Sequence, residues 1–150
     1  MQSSLLNRVL TSKAGTAALI LRVPVGLILM AHGAQKLFGW FGGNGLAGTA
    51  GWLSSIGLEP GYLMAILAGG AEFFGGLALV LGLLTRPAAL IAAFTMLVAI
   101  FSVHIGSGLF IANGGYEYAL TLMVALLALM VQGGGAISMD KVLSKNLGRA

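Results

Sequence analysis

The chain has 150 residues, 58% of them hydrophobic and only 8% charged, with a net charge of +4 at pH 7. With glycine counted as apolar and tyrosine left out, the apolar share is about 72%, against roughly 45–50% in a soluble domain. A water-soluble fold of this size keeps roughly a third of its surface wet, so this composition excludes a soluble enzyme, a soluble nucleic-acid binder and a disordered tail.

Four apolar segments follow in chain order, at about residues 14–38, 61–84, 87–105 and 117–132. Each is long enough, or nearly so, for ~30 Å of hydrocarbon at ~1.5 Å per residue. The fourth is the shortest and is expected to continue through 133–135. Stretches 77–84 and 120–131 lack the alternation of a transmembrane strand, so the spans are helices. The expected fold is all-α: one membrane domain over 1–150, built as a four-transmembrane-helix bundle with short interfacial helices. In the first connection, Trp40, Phe41 and Trp52 read as an interfacial aromatic belt. Leu46, Ala50, Leu53 and Ile56 beside Trp52 predict a short helix on the membrane surface, and Ile137, Met139, Val142 and Leu143 beside Lys141 and Lys145 predict another. A signal peptide ending near 31–34 is the competing reading of the start. It is disfavoured because Arg22 interrupts its apolar core and the run is too long.

Outside the spans the basic residues are Arg8, Lys13, Arg86, Lys141, Lys145 and Arg149. They occupy the two tails and the turn between the second and third spans, while connections 39–60 and 106–116 hold no Lys or Arg. The positive-inside rule then places both termini in the cytoplasm. The positive excess is a topology signal, and the partner it implies is membrane lipid, with no role for nucleic acid. The run 43–48 matches G-x-G-x-x-G but follows a membrane helix and lacks the strand-then-helix context of a dinucleotide site. With no cysteine, the chain has no disulfide, thiolate metal site or thiol chemistry of its own.

The spans hold Arg22, His32, Gln35, Lys36, Glu72, His104 and Glu117. Ionisable groups in hydrocarbon are costly, so they face a bundle interior, pair with one another or serve a pathway. Reckoned at ~1.5 Å per residue, Glu72 lies at the midplane and Arg22 ~6 Å to the cytoplasmic side. His32, Glu117, His104 and Lys36 lie ~9–15 Å to the outer side. Two groups are expected: a deep Arg22–Glu72 ion pair, and an outer ligand- or proton-handling cluster of His32, Lys36, His104 and Glu117. Glu72 is flanked at helical spacing by Ala68, Gly69, Gly75 and Gly76, small residues that let another helix approach closely. Both groups also admit a purely structural reading, as a bundle clip and an interfacial hydrogen-bond network. Bis-histidine haem ligation by His32 and His104 lacks an attachment motif, and no metal site is assigned.

Arg22, the run His-Gly-Ala-Gln-Lys-Leu-Phe-Gly at 32–39, Glu72 with Gly75 and Gly76, the turn 82–86, His104 and Glu117 resemble the DoxX family of small bacterial membrane proteins. The likeness covers about 15–135, with the H-G-x-x-K element the most specific part. The resemblance implies a four-helix bundle in the bacterial inner membrane with a quinone or redox link. One branch, DoxD, is named for a subunit of a thiosulfate:quinone oxidoreductase, and other members are associated with quinone or catechol stress or with membrane oxidoreductase complexes. A eukaryotic cargo receptor is a distant relative.

Three functions remain open from the sequence. The first is a redox-linked membrane subunit binding a quinone or similar small molecule near the outer leaflet. The second is a non-enzymatic scaffold or assembly factor, and the third a small transporter with Glu72 as midplane relay. No resident cofactor is identified and a quinone is the candidate. An oxidoreductase partner subunit and a second copy of the chain are the candidate protein partners, and the chain is not expected to be an enzyme on its own.

Overall fold

The computed structural model describes residues 5–147, so Arg149 of the basic tail lies outside it. The helices are α1 (Leu5–Leu10), α2 (Ala17–Phe38), α3 (Gly45–Ser55), α4 (Gly61–Leu81), α5 (Thr85–Ala99), α6 (Glu117–Gln132) and α7 (Met139–Leu147). After Ala99 the chain runs on through a π-helical stretch, Ile100–His104, and a short 3-10 turn, Ile105–Ser107. The continuous third span is therefore Thr85–Ser107. It joins α2 and α4 as the helices long and apolar enough to cross a membrane, and α6 is a shorter apolar helix. The molecule is an all-α membrane bundle whose outer surface carries large apolar side chains such as Ile20, Phe74, Phe94, Phe101 and Val131. Its interior is filled by Leu29, Leu79, Leu126 and Leu129 against the alanines Ala89, Ala92 and Ala93 of α5.

The short helices fall where the sequence places them. Helix α3 lies across the ends of α2 and α4, with Ala50 and Leu53 packed on Ala65. Helix α7 leaves Met139, Val142 and Leu143 exposed on one side, as an interfacial helix does. Residues 133–135 depart from expectation: α6 stops at Gln132 because Gly133 and Gly135 take φ of 79° and 81°, in the left-handed region. The chain turns back there and lends carbonyls to the bundle interior.

Helices α2 and α4 form the main antiparallel contact, and glycines set its closeness. A Cβ on Gly26 would fall 2.6 Å from the carbonyl oxygen of Gly76; one on Gly33 would fall 2.4 Å from the amide nitrogen of Phe73 and 2.8 Å from the Gly69 oxygen. The glycines come in pairs seven residues apart on each helix, so both crossings lie on one stripe. Gly33→Ala is expected to push the helices apart and cost about 1–3 kcal/mol in thermal unfolding of the detergent-solubilised protein. Gly70, whose added Cβ meets nothing within 4 Å, is the matched control: Gly70→Ala should be neutral or gain up to about 1 kcal/mol. Equal losses at the two positions would disprove the close seam.

Candidate functional site

The glycine pairs also fix the register. With Gly26 against Gly76 and Gly33 against Gly69, residue 30 lies level with Glu72, and Val80 lies level with Arg22. Arg22 is therefore eight residues, ~12 Å, from the level of Glu72. Helical side chains lean toward their own N-termini, so in this antiparallel pair Arg22 leans away from Glu72, while Lys36 and Glu72 lean toward each other. The expected Arg22–Glu72 pair is accordingly replaced by two separate arrangements. Lys36 Nζ meets Glu72 Oε2 at 2.6 Å, with the carboxylate side chain 5% exposed and the lysine 27%.

Arg22 is buried and directs its guanidinium at backbone oxygens. Nε donates to Gly134 (3.1 Å), Nη1 to Leu79 (2.8 Å) and Val80 (2.5 Å), and Nη2 to Ile137. Leu79 and Val80 belong to the last turn of α4, whose carbonyls lack the ordinary partner four residues on; that of Leu79 also accepts from the Gly82 amide at 3.1 Å. Asp140, fully buried at the start of α7, accepts from the amides of Leu84 (2.6 Å) and Thr85 (2.9 Å) at the N-terminus of α5. Arg86 ties the other helix end, donating to Met130 (3.0 Å), Val131 (2.6 Å) and Thr11 (3.1 Å). These three residues lock the end of the bundle that holds α1 and α7. Sequence reasoning placed Asp140 and Arg86 merely outside the membrane; a charged residue flanking a glycine-rich helix end was the signal available.

The opposite half of the bundle contains a cavity of about 670 Å³ bounded by α2, α3, α4, the third span and α6. Its walls are apolar, with Leu67, Ala68 and Ala71 from α4 facing Ile91, Phe94 and Val98 from α5. Set into these walls are the polar side chains His32, Lys36, Glu72, His104 and Tyr118, with the hydroxyls of Thr95 and Ser102. Of the expected outer cluster, His32, Lys36 and His104 thus come together, joined by Glu72. Glu117 does not line the cavity. Its carboxylate accepts from the amide of Ile111 at 2.6 Å and holds the connection 105–116 against the start of α6.

Two local features aim the histidines. The π-helical stretch adds a residue to the turn and ends on His104, placing Ser102, Val103 and His104 all at the cavity wall. His104 Nδ1 lies 2.7 Å from the carbonyl oxygen of Gly114. A carbonyl only accepts, so Nδ1 carries the proton and a neutral ring keeps Nε2 as a free acceptor. The His32 ring packs against Tyr118 with centroids 6.1 Å apart. Among the described residues, no group of three His, Cys, Asp or Glu stands close enough to hold a metal ion. The site can donate hydrogen bonds from a cation, accept them at a carboxylate and an imidazole, and surround the rest of a ligand with hydrocarbon.

The model of the DoxX family matches residues 17–105, more than half of the chain. The chain belongs to the DoxX family. Three relatives bear this out over most of their length. The inner membrane protein YqjF of Escherichia coli is 36% identical over 113 residues, covering 71% of this chain and 81% of the relative. The putative oxidoreductase CatD of Bacillus subtilis is 34% identical over 111 residues, covering 74% and 76%. An uncharacterized protein of Haemophilus influenzae is 32% identical over 140 residues, covering 88% and 86%. No solved structure matches the chain significantly. With its apolar helices and these kin, this DoxX protein is a multi-pass protein of the bacterial inner membrane. The matched DoxX stretch contains His32, Lys36, Glu72 and His104, so the ionisable groups lining the cavity lie within it apart from Tyr118.

Proposed function

We propose that the cavity binds a lipid-soluble ring compound bearing carbonyl or hydroxyl groups, a quinone or a close relative, and that the chain serves as a membrane subunit of a redox system. The observation that carries this reading is the make-up of the cavity: walls that are mostly apolar, with a few polar side chains, among them a cation, a carboxylate and two imidazoles, set into them. A quinone would supply the two-electron chemistry, which a chain without cysteine, and with no metal-binding cluster among the described residues, does not offer from its own side chains. Lys36 donates to a ring oxygen, His104 presents Nε2 to a hydroxyl, and Glu72 holds the ammonium in place while remaining able to take a proton. Apolar side chains exclude water from the remainder, which strengthens each of these bonds. A relative named as a putative oxidoreductase is consistent with this assignment, and an oxidoreductase subunit supplying or receiving the electrons is the partner it requires.

In this reading the end of the bundle carrying Arg8, Lys13, Arg86, Lys141 and Lys145 faces the cytoplasm, by the positive-inside rule. His32, Lys36 and His104 then sit in the outer leaflet, with Glu72 at the midplane. Trp52 lines the cavity and gives a direct reporter once the other tryptophan is removed by Trp40→Phe. Titration of the nanodisc-embedded protein with decylubiquinone is expected to quench Trp52 fluorescence saturably. Lys36→Met and His104→Ala should each weaken binding about tenfold, equivalent to ~1.4 kcal/mol. Quenching that is absent, or identical in all three proteins, would overturn the assignment.

A further inference from the structure

Resting on the reading of the membrane cavity as a ligand site, we propose that the smaller polar chamber beside it is its aqueous port, with Trp52 as the door. This chamber, about 370 Å³, is lined by Gln35, Asn44 and Thr49 and by the backbone of Gly42 and Gly43. Its rim at Gly42 and Asn44 is exposed. Lys36 and Trp52 line this chamber and the membrane cavity alike. The polar wall is built rather than incidental: Thr49 Oγ1 donates to the carbonyl of Lys36 at 3.2 Å, and Gln35 Nε2 to that of Phe41 at 3.3 Å. Helix α3 spans both spaces, with Thr49 on the polar chamber, Leu53 on the membrane cavity, and Trp52 between them.

The consequence is chemical. Glu72 is nearly fully buried, yet its partner Lys36 reaches a chamber whose other lining groups are amides, a hydroxyl and backbone. One ammonium and one indole separate a buried carboxylate from water. Trp52 is 43% exposed, so part of its surface has no packing partner, and as the door it would swing aside. The membrane cavity therefore has two kinds of access. A lipid-soluble ligand meets apolar walls between α4 and α5, whereas water, protons and small polar solutes enter past Trp52. A group on a bound ligand that exchanges protons with Glu72 or His32 does so with the aqueous phase on the α3 side of the membrane.

The absence of cysteine makes the port testable with single introduced thiols on a silent background. Ala68→Cys and Ala71→Cys each place a thiol on the α4 wall of the membrane cavity, and Phe74→Cys places one on the exposed lipid face. In nanodiscs, N-cyclohexylmaleimide should label all three, which establishes that the thiols are present and folded proteins carry them. A permanently charged methanethiosulfonate should label the cavity thiols but not the one at position 74. Trp52→Ala should speed that labelling several-fold at positions 68 and 71. Labelling of both cavity thiols by the lipid-soluble reagent alone overturns the port, and equal rates with and without the indole overturn the door. Neither readout involves a quinone, so failure here is distinguishable from failure of the ligand assignment.

Discussion

Arg22→Met is expected to destabilise the bundle by about 3–5 kcal/mol, the range for breaking a buried charged network by removing one member. The substitution keeps the volume but strands the carbonyls of Val80, Gly134 and Ile137 in a water-poor interior, each a desolvated acceptor without a donor, while that of Leu79 keeps only the Gly82 amide. It also leaves the buried Asp140 carboxylate without the positive charge that offsets it. Arg22→Lys separates the two contributions. It restores the charge, but one ammonium cannot reproduce a planar fork reaching two helix ends, so an intermediate loss is expected. Thermal unfolding in a mild detergent reads both variants. A loss under about 1 kcal/mol for Arg22→Met would show that the carbonyls find other donors and that the lock is not built on this residue.

The second large effect is an asymmetry across the Lys36–Glu72 pair. Removing the lysine by Lys36→Met strands a carboxylate that is 5% exposed, whereas Glu72→Gln strands an ammonium that is 27% exposed and can reach the polar chamber. Lys36→Met should therefore cost more, by about 1–2 kcal/mol, within the 3–5 kcal/mol that breaking a buried pair can cost. Adding Glu72→Gln to Lys36→Met should recover most of that loss, because no buried charge then lacks a partner. A double-mutant cycle measured by the same unfolding assay gives the coupling. Losses that simply add would mean that the two residues act independently and that the short contact has no energetic consequence.

Much of the candidate site was legible before any coordinates. The depth ladder grouped His32, Lys36 and His104, which line one cavity, since helical rise converts position in a span directly to depth. Glu117 was grouped with them for the same reason and does not belong, because depth carries no information about which way a helix faces. Its carboxylate is committed to the Ile111 amide beside the helix start. Residues 133–135 were read as helix because the fourth span is short, yet a glycine run has no side chain to hold it helical, and the Gly134 carbonyl serves Arg22 instead.

The sequence by itself determined that this chain lives in lipid, that it crosses as helices, and that Glu72 sits on a close-packed glycine seam. Those conclusions need only composition, length and periodicity, which are properties of one segment at a time. Tertiary structure alone decided which cation meets Glu72. Arg22 and Lys36 carry the same charge, and depth along the helix, ~6 Å from the midplane against ~15 Å, favours Arg22. The choice fell to the register set by Gly26 on Gly76 and Gly33 on Gly69, and to the opposed lean of side chains on antiparallel helices. A pairing between two helices is fixed by their offset, and an offset is a relation that neither helix encodes alone.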